Sequence, residues 1–268
     1  MMSSAVDRST KSEVRLVYCN DKVAHVTIDR PPLNLVNTAL LASLAELLSE
    51  LAADPQVRAI VLDTANGVPP FAADAGELTT LTTWQQTFEM LKRGQEALTT
   101  IEFLPRPVIM AIYDGLCIGG GLELALSCHL RIAGTQTRFA VPEAPAGSHP
   151  GWGNTQRLAR FFGRPKSLEL ILTGNEISAQ EALALGAVNH VVPGDQVLAT
   201  AMGLGRAVAR VRTKSVASVM SIMNVPYALG LAEGKAKELE QFMRIYDPDT
   251  LRDGVTALFQ HKPIEYSD

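Results

Sequence analysis

The chain has 268 residues, of which 47% are hydrophobic and 19% charged, with a formal net charge of -4 and a pI near 5.8. That length and apolar content suit one large α/β domain with a small appendage, or two modest domains, and argue against a disordered chain. The acidic balance, with no run of Lys or Arg, argues against binding to a nucleic-acid backbone.

The three cysteines, Cys19, Cys117 and Cys128, are widely spaced and form no CxxC pair. This is the pattern of a reducing compartment, where thiols serve as small apolar residues. The first residues, MMSSAVDRSTKSE, are polar and lack the apolar centre of a secretory signal. No apolar stretch reaches membrane-spanning length. The cytosol is the expected location.

In chain order, residues 14–18 and 23–28 alternate as two strands of a hairpin around Asn20-Asp21. Leu40, Leu41, Leu44, Leu47, Leu48 and Leu51 recur at helical spacing, up to a stop at Asp54-Pro55. Residues 57–62 form a nearly continuous apolar run, as in a strand buried on both faces of a parallel sheet. A Gly-, Pro- and Ala-rich stretch over 65–76 precedes a predicted helix over 83–101, with Phe88, Leu91, Leu98 and Ile101 toward a core. Residues 108–112 read as a second buried strand. Gly119-Gly120-Gly121 opens a helix through His129, and 130–133 is a third strand. Ser178 and Glu181 have capping-box spacing, with Gly186 as the matching stop, and 188–192 is a last short strand. Beyond about Gly194 only helices are predicted, which divides the chain into an α/β core over 1–194 and a helical region over 195–268.

Three segments carry groups suited to chemistry. In the first, YDGLCIGGGLELA over 113–125, a strand runs through three glycines into a helix. Glycines allow close backbone approach, and the free N–H groups of a helix start suit an oxygen that gains negative charge. Glu123 is expected in the first turn of that helix, where it either serves the site or merely complements the dipole. The second is FAADAGEL over 71–78, small residues after a buried strand. The third is Val141-Pro142-Glu143, followed by a Gly-rich turn, 147–157, into another helix. His149 and His129 read as bystanders, Trp84 and Phe88 as core or pocket wall, and no His or Cys shows metal-ligand spacing.

Taken together and in this order, these segments resemble the crotonase (enoyl-CoA hydratase/isomerase) superfamily. The resemblance spans nearly the whole chain: Arg30-Pro31 with Asn34 or Asn37, the Phe71 segment, Gly119–Glu123, Pro142-Glu143, Pro150-Gly151 through Leu158, Leu172-Thr173-Gly174, and Gly186-Ala187-Val188. It implies a fold of repeated ββα turns wound as a spiral, with a helical C-terminal region that joins subunits into a homotrimer or a dimer of trimers. It places the two oxyanion-hole amides on Gly120 and Ala75, the catalytic carboxyls on Glu123 and Glu143, and substrate contacts on Ala73, Phe259 and Lys262. Coenzyme A is then part of the substrate, with no metal or other cofactor implied.

The implied activity is that of an enoyl-CoA hydratase, a hydro-lyase that adds water reversibly and syn to a trans-2-enoyl-CoA. Glu123 is expected to be the ionised base, favoured by its helix dipole, and Glu143 the desolvated, protonated acid. The alternatives are an enoyl-CoA isomerase, a thioester hydrolase, a carbon–carbon lyase, a tailoring enzyme for carrier-protein thioesters, or a non-catalytic acyl-CoA or RNA binder. Two departures from the family pattern bear on the site. Asp74 and Gly76 exchange the expected Gly and Asp, so that a one-residue slip would move the second amide from Ala75 to Gly76. The Gly-rich turn that begins at Gly147 carries His149 and Trp152, and Asn154 stands where a glycine is usual.

Overall fold

A computed structural model of the protein describes residues 13–224 and Arg244. Strands β1 (Val14–Asn20) and β2 (Val23–Ile28) form the expected antiparallel hairpin. Asp21 and Lys22 make its two-residue turn in left-handed conformations, the geometry that matches the twist of paired strands. Helix α1 (Thr38–Ala53) follows, capped by the Asn37 side chain on Leu40 N–H at 2.8 Å. Strand β3 (Ala59–Thr64) then adds parallel to β2. After the short α2 (Ala75–Thr79) and the long α3 (Trp84–Glu102), β4 (Val108–Ile112) adds parallel to β3.

The chain then leaves this sheet. Strand β5 (Gly115–Ile118) runs directly into α4 (Gly119–Ser127), after which β6 (Leu130–Gly134) returns to pair with β4. Strand β7 (Thr137–Ala140) pairs with β5, and after α5 (Asn154–Thr173) the two-residue β8 (Ile177–Ser178) joins β7. Helix α6 (Ala179–Ala184), β9 (His190–Val192), α7 (Val197–Ala209) and α8 (Thr213–Asn224) complete the described chain. The result is a six-stranded sheet, β1-β2-β3-β4-β6-β9, beside a three-stranded one, β5-β7-β8.

Period-two alternation sorts the main sheet into two packed faces. Val26, Ile28, Ile60, Leu62, Met110 and Ile112 meet the leucines of α1, then Leu98 and Ile101 of α3 and Leu122 of α4. Val23, Val61, Ile109 and Ile132 meet Val197, Ala201 and Met202 of α7 on the other side. Burial on both faces is why β3 and β4 read as unbroken apolar runs. Helix α7, the opening of the 195–268 region, is thus a layer of the core.

Two sequence expectations are corrected. Trp84 and Phe88 are not core: Trp84 is 72% exposed, and the two rings stack with centroids 5.2 Å apart. Burial on α3 begins only at Met90, so the first two turns carry apolar side chains with no core beneath them. Strands β5, β7 and β8 are not set out as separate strands in the sequence reading, being only two to four residues long. Among the tail side chains expected to meet a partner subunit, Met220 and Ile222 are half-buried and Met223 is exposed. Leu229, Leu231, Leu239, Phe242 and Met243 lie outside the described residues, as do Phe259 and Lys262.

Candidate active site

The glycines at the start of α4 are demanded by contact. Ile118 N–H donates to Phe71 O at 2.7 Å, which lays the 69–73 segment across the helix start. A β-carbon on Gly121 would stand 2.0 Å from Pro70 O. One on Gly120 would stand 2.9 Å from both Ala73 N and the Trp152 ring. Gly119 is left-handed (φ 46), and its β-carbon would meet Glu143 Oε1 at 2.7 Å. The first N–H groups of a helix lack intrahelical acceptors, so this crowded turn offers donors to a ligand.

The Phe71 segment is held by main-chain bonds around Val36, whose N–H donates to Ala72 O at 2.8 Å and whose carbonyl accepts Asp74 N–H at 2.7 Å. Asp74 is the N-cap of α2. One carboxylate oxygen accepts Gly76 N–H at 2.9 Å, and the other lies 2.5 Å from Arg30 Nη2. Arg30 also donates to Glu13 and to Leu35 O. The Arg30 guanidinium holds the Asp74 carboxyl below the usual carboxylate range. The Gly76 amide is therefore turned to Asp74.

Glu123 is 3% exposed. It lies one turn into α4, in the second turn rather than the first as expected, because Gly119 is the first helical residue. Its Oε1 instead accepts Trp152 N–H at 2.7 Å and Asn154 N–H at 3.2 Å, at the start of α5. Burial pushes its carboxyl up to about 7, and the charge of Glu143 adds to this while the two N–H donors oppose it. Glu143 is half-buried, and burial raises its carboxyl as well. Its Oε2 is enclosed without a hydrogen-bond partner among the described residues. The expected asymmetry, with Glu123 ionised by its own helix and Glu143 desolvated, does not hold. Glu123 is the more deeply buried, and it leans on the next helix's N-terminus.

Ala73, Gly120, Glu123 and Glu143 are thus brought to one place from three separate segments, with Ala75 two residues after Ala73 at the first position of α2. The other sequence candidates are elsewhere. His129 accepts Val108 N–H at 3.0 Å through Nδ1, and burial lowers it to about 4. The His149 ring bonds Pro150 O at 2.9 Å, beside a cleft of about 540 Å³ between α3 and the start of α5. Trp152 and Asn154 were noted only as departures from a pattern. Toward Glu123 both act through backbone N–H groups, which any residue type supplies.

The site is a helix opened by glycines with two carboxyls beside it, one buried and one half-buried, on an α/β scaffold. The chain belongs to the enoyl-CoA hydratase/isomerase family, whose model matches residues 19–268. It is 33% identical over 248 residues to a probable enoyl-CoA hydratase of Bacillus subtilis, covering 91% of this chain and 95% of that one. To a short-chain-enoyl-CoA hydratase of Clostridium acetobutylicum it is 34% identical over 248 residues, covering 91% and 94%. Among solved structures it matches an enoyl-CoA hydratase from Bacillus anthracis with a TM-score of 0.87 at 28% identity, covering 96% of this chain and all of that one.

Proposed function

We propose that the protein hydrates trans-2-enoyl-CoA thioesters by syn addition of water. The observation that carries this reading is the meeting of two buried carboxyls, both with raised pKa, around the glycine turn of α4. The thioester carbonyl accepts hydrogen bonds from the Gly120 and Ala75 amides. As the oxygen becomes enolate-like its charge grows, and fixed donors lower the barrier by stabilising that charge. The two carboxyls share one proton and hold the reacting water between them. The ionised member takes a proton from water as the hydroxyl oxygen bonds to C3, and the protonated member delivers its proton to C2. The pair, rather than either residue alone, holds that proton. Isomerisation needs only one such acid, so the presence of both favours hydration.

Ala73, packed against Gly120, lines the thioester end of the site. Phe259 and Lys262 are assigned to the CoA moiety by family resemblance. The protein is read as a cytosolic homotrimer or dimer of trimers, and no described helix is long and apolar enough to cross a membrane. The test follows loss of the conjugated enoyl absorbance of crotonyl-CoA. Glu123→Gln and Glu143→Gln should each lower kcat on the order of 10²–10⁴-fold with little change in KM. A wild-type protein that binds crotonyl-CoA without consuming it would contradict the reading. So would a Glu123→Gln enzyme with normal hydration.

A further inference from the structure

Asn154 is completely buried. Its backbone N–H holds Glu123 Oε1 at 3.2 Å. Its side-chain Nδ2 faces the carbonyl oxygen of Gly119 at 3.4 Å. Its Oδ1 is buried with no hydrogen-bond partner among the described residues. An unsatisfied buried amide oxygen costs free energy that a glycine or alanine would not incur, so packing alone does not account for this side chain. Rotating the carboxamide would set Oδ1 against the Gly119 oxygen, so hydrogen-bond chemistry determines which atom faces it.

The Gly119 carbonyl and the Gly120 N–H are the two ends of a single planar peptide. That peptide lies between two glycines, where no side chain restricts its rotation, and Gly119 is left-handed. A donor on the carbonyl end resists rotation of the plane. By polarising the peptide it also makes the N–H end a stronger donor. We propose that Asn154 is a positioning residue: its carboxamide sets the Gly119–Gly120 peptide so that the Gly120 N–H meets the thioester oxygen as it becomes enolate-like. This rests on the hydratase reading above. Through its backbone and its side chain, one residue then ties the acid–base carboxyl and the oxyanion amide to the start of α5.

Asn154→Ala and Asn154→Gly both keep the backbone N–H on Glu123 and remove only the carboxamide; the glycine variant covers any strain that alanine introduces. Two ligands separate positioning from bulk structure. Acetoacetyl-CoA has an acidic methylene between two carbonyls, and its enolate, detectable by its absorbance, places negative charge on the thioester oxygen. Butyryl-CoA is a saturated thioester that carries no such charge. With folding checked by thermal unfolding, both variants should bind the enolate about five- to tenfold more weakly and lose kcat on crotonyl-CoA to a similar degree, the worth of one neutral hydrogen bond. Butyryl-CoA affinity should stay within about twofold. Equal weakening of both ligands, or unchanged enolate binding, would overturn the positioning role. A wild-type protein that neither hydrates crotonyl-CoA nor prefers the enolate to butyryl-CoA would overturn the hydratase reading itself, and the role of Asn154 with it.

Discussion

Burial withholds solvent from the Glu123 carboxylate and the Glu143 charge adds to the effect, so the carboxyl is pushed up to about 7. In the unfolded chain the same carboxyl ionises near its ordinary value of 4.5. Between those values the folded protein binds the extra proton, so the stability linked to this group is complete below about pH 4.5 and is lost as pH rises through about 7. Glutamine keeps the size and an acceptor for the Trp152 and Asn154 N–H groups but carries no charge. Glu123→Gln should therefore be the more stable protein at pH 8, by roughly 3 kcal/mol at most. The difference should close as pH falls toward 4.5. Urea unfolding at the two pH values measures it, and a pH-independent difference would show that burial of charge is not its source. This is a site that gives up stability for a carboxyl poised near neutral pH.

At the scale of the elements, the site depends on helices brought into unusually close contact. Gly94 lies inside α3, where alanine would be better by roughly 1 kcal/mol on helix propensity alone. In this fold a β-carbon there would stand 2.1 Å from Trp152 Nε1. The indole fills the space between Gly94 on α3 and Gly120 on α4, and the same residue's N–H holds Glu123. Gly94→Ala should thus destabilise the protein by about 1–3 kcal/mol, against its propensity, and lower hydration by shifting Trp152. Adding Trp152→Phe should recover part of that loss, a non-additivity measurable as a double-mutant cycle in denaturant. Additive effects would mean that the two residues do not press on each other. On the other side of the site, the five-residue α2 is too short to hold itself, and the Arg30–Asp74 pair anchors its first turn.

At the scale of the whole molecule, α8 leaves Val219 57% and Met223 64% exposed among the described residues. Contiguous apolar side chains left uncovered on a helix are commonly covered by a symmetry-related subunit. The protein is expected to run in light scattering at three or six times its 28.9 kDa chain mass. A stable monomer at micromolar concentration would refute that assembly.

What was legible from sequence is what a few neighbouring residues encode. The leucine spacing of α1, the apolar runs of β3 and β4, the Ser178 capping box and the glycine turn of α4 each follow from chemistry within one or two helical turns. The identities of Glu123 and Glu143 belong to the same class, since a motif preserves residue type and order. Other features were decided only by packing. Glu123 meets N–H groups 29 and 31 positions away, on a helix whose dipole no local pattern assigns to it. The Gly76 amide is engaged by a carboxylate tied to an arginine 44 residues earlier. The short strands of the second sheet follow from pairing rather than from their own hydrophobicity. Burial and hydrogen-bond partnership belong to surfaces brought together across the chain. Tertiary structure therefore determined how far each carboxyl is shielded from water, and with it the chemistry each can perform.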